Sequence, residues 1–281
     1  MQWKWPAKSV LVVLSTSLWT CSSPQDPRAG GLFEALDEGG LAGGAALISP
    51  AKGGPMVVVA VDHAAAVMGS CPAGMVAVEG NYCPDVEQRC LEWLDPPGKY
   101  HAFRCAKYAS PAICRATRRP MRFCIDRDEQ KLEAKKSDPR PTNHVSYLAA
   151  KDACTARGAR LCTQSEWQFA CEGEEMRPYP YGFERDSLAC NIDHQELGRP
   201  NGGLKDLRTK AGDNPKCTSP FGVRDLAGNL EEWVTRDPGT GGKATLLKGS
   251  WWLPGRSTCR ATNAGHDEVY QGTETGFRCC H

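Results

Sequence analysis

LKGSWWLPGRSTCRATNAGHDEVYQGTETGFRCC, residues 247–280, holds a Lys248-Gly249-Ser250-Trp251 turn, one cysteine inside Cys259-Arg260-Ala261, and a paired Cys279-Cys280 directly after Gly276-Phe277-Arg278. Two further blocks lie upstream, RLCTQSEWQFAC at residues 160–171 and DLAGNLEEW at residues 225–233. Short motifs recur by chance, but three of them in a fixed order do not, so the set is read together. Within the first block Thr163 and Glu166 have capping-box spacing and open a short helix running through Cys171, with Trp167 as a core side chain. Just before it, Ser146 is the N-cap of a helix over residues 148–156, in which Leu148, Ala149, Ala153 and Ala156 share a face and Gly158 supplies the stop.

The rest of the composition bounds the problem. The chain has 281 residues, 41% of them hydrophobic and 24% charged, with a formal net charge of +1. That is ordinary globular composition, and no basic run is dense enough to follow a phosphate backbone, which argues against nucleic acid as a partner. Lys4 and Lys8 precede an apolar run over residues 10–19 and then Cys21, so residues 1–21 read as a secretory signal peptide. The run is about half of the roughly 20 residues a spanning helix needs. Leu18-Trp19-Thr20-Cys21 is similar to a bacterial lipobox, which makes Cys21 a candidate for lipidation and the chain an exported protein tethered to a bacterial outer membrane, or otherwise periplasmic or secreted. Residues 22–70 are Gly- and Ala-rich and read as a linker, with a short strand at residues 56–61.

Cysteine parity agrees with export. Fifteen cysteines less Cys21 leaves fourteen, an even set that can pair completely in an oxidising compartment. No Cys-x-x-Cys pair occurs, so zinc is the poorer reading. Six of the fourteen, Cys71, Cys83, Cys90, Cys105, Cys114 and Cys124, fall in one segment, where three bridges have fifteen possible connectivities. After Cys171 the chain is crowded with Pro and Gly, and long irregular loops of this kind need disulfides or a bound cation to hold them.

The three ordered blocks resemble the sulfatase-modifying factor family, the formylglycine-generating enzymes, over roughly residues 71–280. The resemblance implies a single α+β domain at residues 71–281, loop-rich and disulfide-stapled, with a C-type-lectin-like fold. It places Met75-Val76-Ala77-Val78-Glu79-Gly80 on an edge strand and Phe123-Cys124-Ile125-Asp126-Arg127 on the next, with the cysteine-rich residues 71–124 as an insertion within the domain. It also implies disulfides Cys154–Cys279 and Cys171–Cys259. Cys162 with Cys280 and Cys190 with Cys217 then suggest themselves, although adjacent Cys279 and Cys280 leave a swap of partners open.

The family oxidises a protein cysteine to formylglycine with oxygen, copper and two active-site cysteines, because a cuprous ion wants thiolate ligands. Counted from Ser250, those two positions fall on Leu253 and Thr258, and Glu231 stands where the family carries its oxygen-pocket tryptophan. Cys259, one residue away, and Ser250 are possible remnants, although Cys259 aligns with a structural cysteine. Copper is therefore not expected, and the resemblance implies a non-catalytic binding or structural module, its groove lined by Trp251, Trp252 and Glu231 and its partner a protein or glycan of the cell envelope. The alternative is an oxidoreductase acting on a protein cysteine, or a related oxidation. Calcium is the cofactor implied instead, held by Asp225, the Gly228 and Leu230 carbonyls and Glu232, with a second set at Asn191, the Ile192 carbonyl and Asp206. The six histidines match no iron-binding spacing. Asp267 and Glu268 are candidates to line a pocket, and Arg260 and Arg278 to pair with buried carboxylates.

Overall fold

The computed structural model describes residues 70–281. The signal peptide, Cys21, the linker and the strand expected at residues 56–61 lie outside the described residues.

Alternation builds the first sheet. In β1 (Met75–Tyr82) Val76, Val78 and Tyr82 face the core while Ala77, Glu79 and Asn81 are exposed, the period of two that a half-buried strand requires. β1 pairs antiparallel with β6 (Arg119–Asp126), from Met75 opposite Asp126 to Tyr82 opposite Arg119. Between them the cysteine-rich segment forms two small antiparallel ribbons: β2 (Val86–Glu87) with β5 (Ile113–Cys114), and β3 (Cys90–Trp93) with β4 (Cys105–Tyr108). Bridges Cys71–Cys124, Cys83–Cys114 and Cys90–Cys105 choose one of the fifteen connectivities. The segment is an insertion between two paired strands of the main sheet.

Helix α1 (Tyr147–Thr155) begins where Ser146 accepts a hydrogen bond from the Ala149 N–H at 3.2 Å. Its C-cap is Ala156, and Gly158 follows with φ +70°, the left-handed residue that turns the chain toward β7 (Arg160–Leu161). Helix α2 (Gln164–Glu172) carries the reciprocal box: the Thr163 hydroxyl accepts from the Glu166 N–H, and Glu166 accepts from the Thr163 N–H at 2.8 Å. Every residue of α2 from Ser165 to Glu172 is buried, so this helix is surrounded on all sides and sits at the centre of the core.

The second sheet has the order β10-β9-β8-β11, comprising β8 (Glu231–Thr235), β9 (Thr245–Lys248), β10 (Thr262–Asn263) and β11 (Thr275–Phe277). β11 runs parallel to β8, and β12 (Cys279–Cys280) crosses back to the first sheet between β6 and β7. Trp167, Phe169 and Ala170 of α2 pack with Val78, Tyr82, Phe123 and Ile125 of one sheet and Val234 and Leu246 of the other. A second cluster joins α1 to Trp233, Leu247 and Phe277. Residues 173–230 contain no strand or helix; the Cys190–Cys217 bridge and side-chain hydrogen bonds hold them. The remaining bridges, Cys154–Cys279, Cys162–Cys280 and Cys171–Cys259, tie α1, β7 and α2 to the C-terminal segment without any swap.

Candidate functional site

β9 ends in a turn that only a left-handed backbone makes. Gly249 has φ +89° and Ser250 φ +66°, and a Cβ on Gly249 would stand 3.1 Å from the Trp167 ring and 3.2 Å from the Leu226 carbonyl. The turn delivers Ser250 and Trp251 to a cavity of about 250 Å³, lined also by Glu231 from the start of β8, Asn263 from β10, Arg256 and Phe103. Leu253 is half-buried in the following loop, and Thr258 is buried, its hydroxyl accepting from the Ala261 N–H at 3.1 Å. Cys259 is bonded to Cys171. All fourteen cysteines among the described residues are in disulfides, so the cavity presents no thiolate for a soft metal.

Three features of the cavity differ from the sequence reading or extend it. Trp252 does not line the groove: it is fully buried, and its backbone carbonyl accepts from the His194 N–H at 3.0 Å. The two indoles stay in contact, their ring centroids 4.8 Å apart and tilted by 60°, so Trp252 forms the buried backing of the half-buried Trp251 that lines the cavity. Phe103 was not foreseen; it comes from the loop joining β3 to β4, where Leu94 and Tyr100 are also exposed, as are Leu91 and Trp93 on β3. The aromatic density between Cys90 and Cys105 was the available signal. Glu231, as expected, reaches the cavity, where Asn263 donates to it at 3.1 Å; burial, with the neighbouring Glu274 carboxylate adding, pushes its pKa up to about 7.

The two expected calcium sets are placed differently. In the first, Asp225 is buried at φ +56° and accepts from Asn214 at 3.2 Å, and burial pushes its pKa up to about 6. Gly228 at φ +82° lies so close to the Asn191 carbonyl that no Cβ fits. The Leu230 N–H donates to buried Glu129 at 3.1 Å, a carboxylate the sequence reading missed, which burial and the Glu232 and Asp225 charges push well above the usual range. Glu232 receives two Arg278 N–H bonds at 2.6 Å and the Trp167 indole N–H at 2.8 Å. Asp225 therefore suits a hard cation, but Glu232 is occupied by a guanidinium and does not complete the cage.

In the second set the Asn191 side chain is shared among His194, the Leu207 carbonyl and Asn229, and Ile192 is buried beside Cys190 and Cys217. Asp206 is held by Arg208 at 2.7 Å and by Arg140 at 2.9 Å. Two guanidiniums stand where a cation would, and this set does not fit calcium. Among the described residues no three His, Cys, Asp or Glu side chains converge as a metal site. Asp267 and Glu268 line an open surface depression of about 380 Å³ and are exposed. Arg260 and Arg278 do pair with buried acids, Glu172 and Glu232, both at 2.6 Å.

Beside the turn, Lys248 is buried under the Trp167 ring, its ammonium 5.5 Å from the centroid and 2.8 Å from the Thr262 hydroxyl. Burial, helped by the Arg260 charge, pushes its pKa down to about 7. The unfolded chain then binds a proton that the native state lacks between pH 7 and the ordinary lysine value, so this group penalises folding fully below pH 7 and progressively less above it. Lys248→Met should therefore raise stability by a few kcal/mol at pH 6, an order-of-magnitude figure, with the gain shrinking toward pH 10. Urea titrations of both proteins at the two pH values check the sign; a gain that is flat with pH would mean that the lysine is not the cause.

Comparison with known proteins gives four results. The model of the sulfatase-modifying factor enzyme 1-like domain matches residues 97–281, and that of the CC domain matches residues 63–83. The inactive C-alpha-formylglycine-generating enzyme 2 of Bos taurus is 30% identical over 156 residues, 50% of this chain and 49% of that protein. The formylglycine-generating enzyme of Bos taurus is 27% identical over 150 residues (50% and 36%), and the hercynine oxygenase of Mycobacterium tuberculosis 29% over 153 residues (47% and 34%). The chain thus spans about half, or less, of the length of these curated relatives. Among solved structures, the crystal structure of CarF superimposes with a TM-score of 0.49 at 16% identity, covering 75% of this chain and 98% of that one.

Proposed function

The chain belongs to the sulfatase-modifying factor enzyme 1-like family, and from that premise we propose that it is a catalytically inactive member, exported and tethered to the cell envelope, whose groove binds a ligand instead of oxidising one. One observation carries the reading: the two positions that would hold the copper thiolates are Leu253 and Thr258, and the nearest sulfur, Cys259, is closed in a disulfide. Neither a leucine nor a threonine side chain can replace a thiolate toward a cuprous ion. The relative whose name calls it inactive supports the same direction.

Seven bridges among the described residues support an oxidising compartment, and the segment before Cys21 supports delivery through a signal peptide with a lipid anchor at that cysteine. Envelope proteins or glycans are the partners within reach of such a tether.

The test is a thiol count on mature protein exported to an oxidising compartment, with copper measured on the same sample and a sulfatase-type cysteine peptide offered as substrate under oxygen. We expect fourteen thiols only after reduction, no copper and no formylglycine product by mass spectrometry. A reduced Cys259, co-purifying copper or turnover of the peptide would overturn the reading.

A further inference from the structure

The cavity at Glu231 contains an acid and a base, Glu231 and Arg256, that have no ion-pair partner among the described residues. Four buried acids, Asp126, Glu166, Glu172 and Glu232, each hold an arginine at 2.6–2.8 Å, while Glu129 and Asp225, buried away from this cavity, are held by asparagine amides, Glu129 also by a backbone N–H. Glu231 has only the neutral Asn263 amide, and among the described residues it makes no ion pair. Its neighbour Glu274 is occupied by the Tyr270 hydroxyl at 2.6 Å and brings further negative charge. At the mouth of the same cavity Arg256 is exposed, lies over the Phe103 ring at 5.4 Å, and also makes no ion pair among the described residues. The two charges therefore stand more than 4 Å apart and do not neutralise each other.

The frame around them is fixed. Arg185 donates to the Gly255 and Arg256 carbonyls at 2.8 and 3.0 Å and is itself clamped on Asp193 at 2.7 Å. Trp251 and Phe103 give aromatic walls between floor and mouth, which suit an aliphatic stem bearing a charged head. The volume, about 250 Å³, is below the roughly 300–1,000 Å³ of drug-sized pockets and suits one side chain with its head group.

We propose that this cavity binds a zwitterion the size of one basic amino acid, with an ammonium or guanidinium group turned inward to Glu231 and a carboxylate turned outward to Arg256. The carboxy-terminal basic residue of a peptide and a free basic amino acid share that chemistry. The inference rests on the reading of the groove as a ligand site.

The experiment titrates the disulfide-intact protein with Nα-acetyl-lysine, its methylamide, which lacks the carboxylate, and Nα-acetyl-norleucine, which lacks the ammonium, followed by calorimetry. Nα-acetyl-arginine and free lysine separate the head group and the source. Nα-acetyl-lysine should bind best, losing about tenfold when either charge is removed, the worth of one charge-assisted contact. Glu231→Gln, which keeps an acceptor for Asn263, should weaken the two ammonium probes about tenfold and leave norleucine unchanged. Arg256→Gln should abolish the difference between acetyl-lysine and its methylamide. Equal binding of all three probes, no binding by the unaltered protein at millimolar concentration, or indifference to Glu231→Gln would overturn the proposal. If no probe binds while the thiol count stays at zero, only the zwitterion falls; if copper or a free thiol appears, the inactive reading falls with it.

Discussion

Arg278→Met should destabilise the fold by about 3–5 kcal/mol, the usual consequence of leaving one member of a buried ion pair behind. Arg278 and Glu232 are each 1% exposed, and the guanidinium also donates to the Asp126, Arg127 and Arg224 carbonyls. Its removal leaves those acceptors and a carboxylate unsatisfied in the core, close to buried Glu129, whose pKa burial and the Glu232 charge already push up. Against a typical stability of about 5–15 kcal/mol, that loss is a third or more of the total. Adding Glu232→Gln removes the stranded charge but keeps an acceptor for the Trp167 indole, so the double variant should recover about 1–3 kcal/mol. Denaturant midpoints of the single and double variants, with disulfides intact, decide it. Lys136→Ala, breaking an exposed pair with Glu133, should cost well under 1 kcal/mol in the same assay.

The two bridges of the C-terminal strand should behave non-additively. Cys154–Cys279 and Cys162–Cys280 close spans of 125 and 118 residues, yet their ends lie only eight residues apart on one side and one on the other. While one bridge is closed, the other constrains a loop of only about nine residues, worth about 2.5 kcal/mol on the loop-entropy relation. Once both are open, the unfolded chain regains the freedom of a loop of about forty residues, because Cys171–Cys259 still shortcuts the span, close to a further 4 kcal/mol. Either pair replaced by alanine should therefore leave a folded protein of lower melting temperature. All four cysteines replaced should lose about 6.5 kcal/mol, enough to abolish cooperative unfolding at 37 °C in a protein at the lower end of ordinary stability. Calorimetric scans of the three variants test this; equal and additive losses would show that the bridges act through native-state packing and not through the unfolded chain.

The family, the helix starts and the parity of the cysteines were determined by the sequence alone, because each rests on residues close in the chain or on block order. Ser146 needs only Ala149 to cap α1, and Thr163 and Glu166 satisfy each other within one turn. That leucine and threonine stand three and eight residues after Ser250 was likewise legible by counting. The tertiary structure decided what depends on residues distant in the chain. Phe103 enters the cavity from a hairpin nearly 150 residues before Trp251, and Glu129 reaches Leu230 across 101 positions. Arg278 claims Glu232, and Arg140 with Arg208 claims Asp206, so carboxylates that read as calcium ligands are spent on guanidiniums. Trp252 is buried behind Trp251, its ring centroid 4.8 Å from that of its neighbour, a placement that only the surrounding core decides. A local pattern states which groups a residue offers; which partner takes them is settled only when loop closure brings competing charges into one low-dielectric interior, where each buried carboxylate must find a counter-charge, a hydrogen bond or a proton.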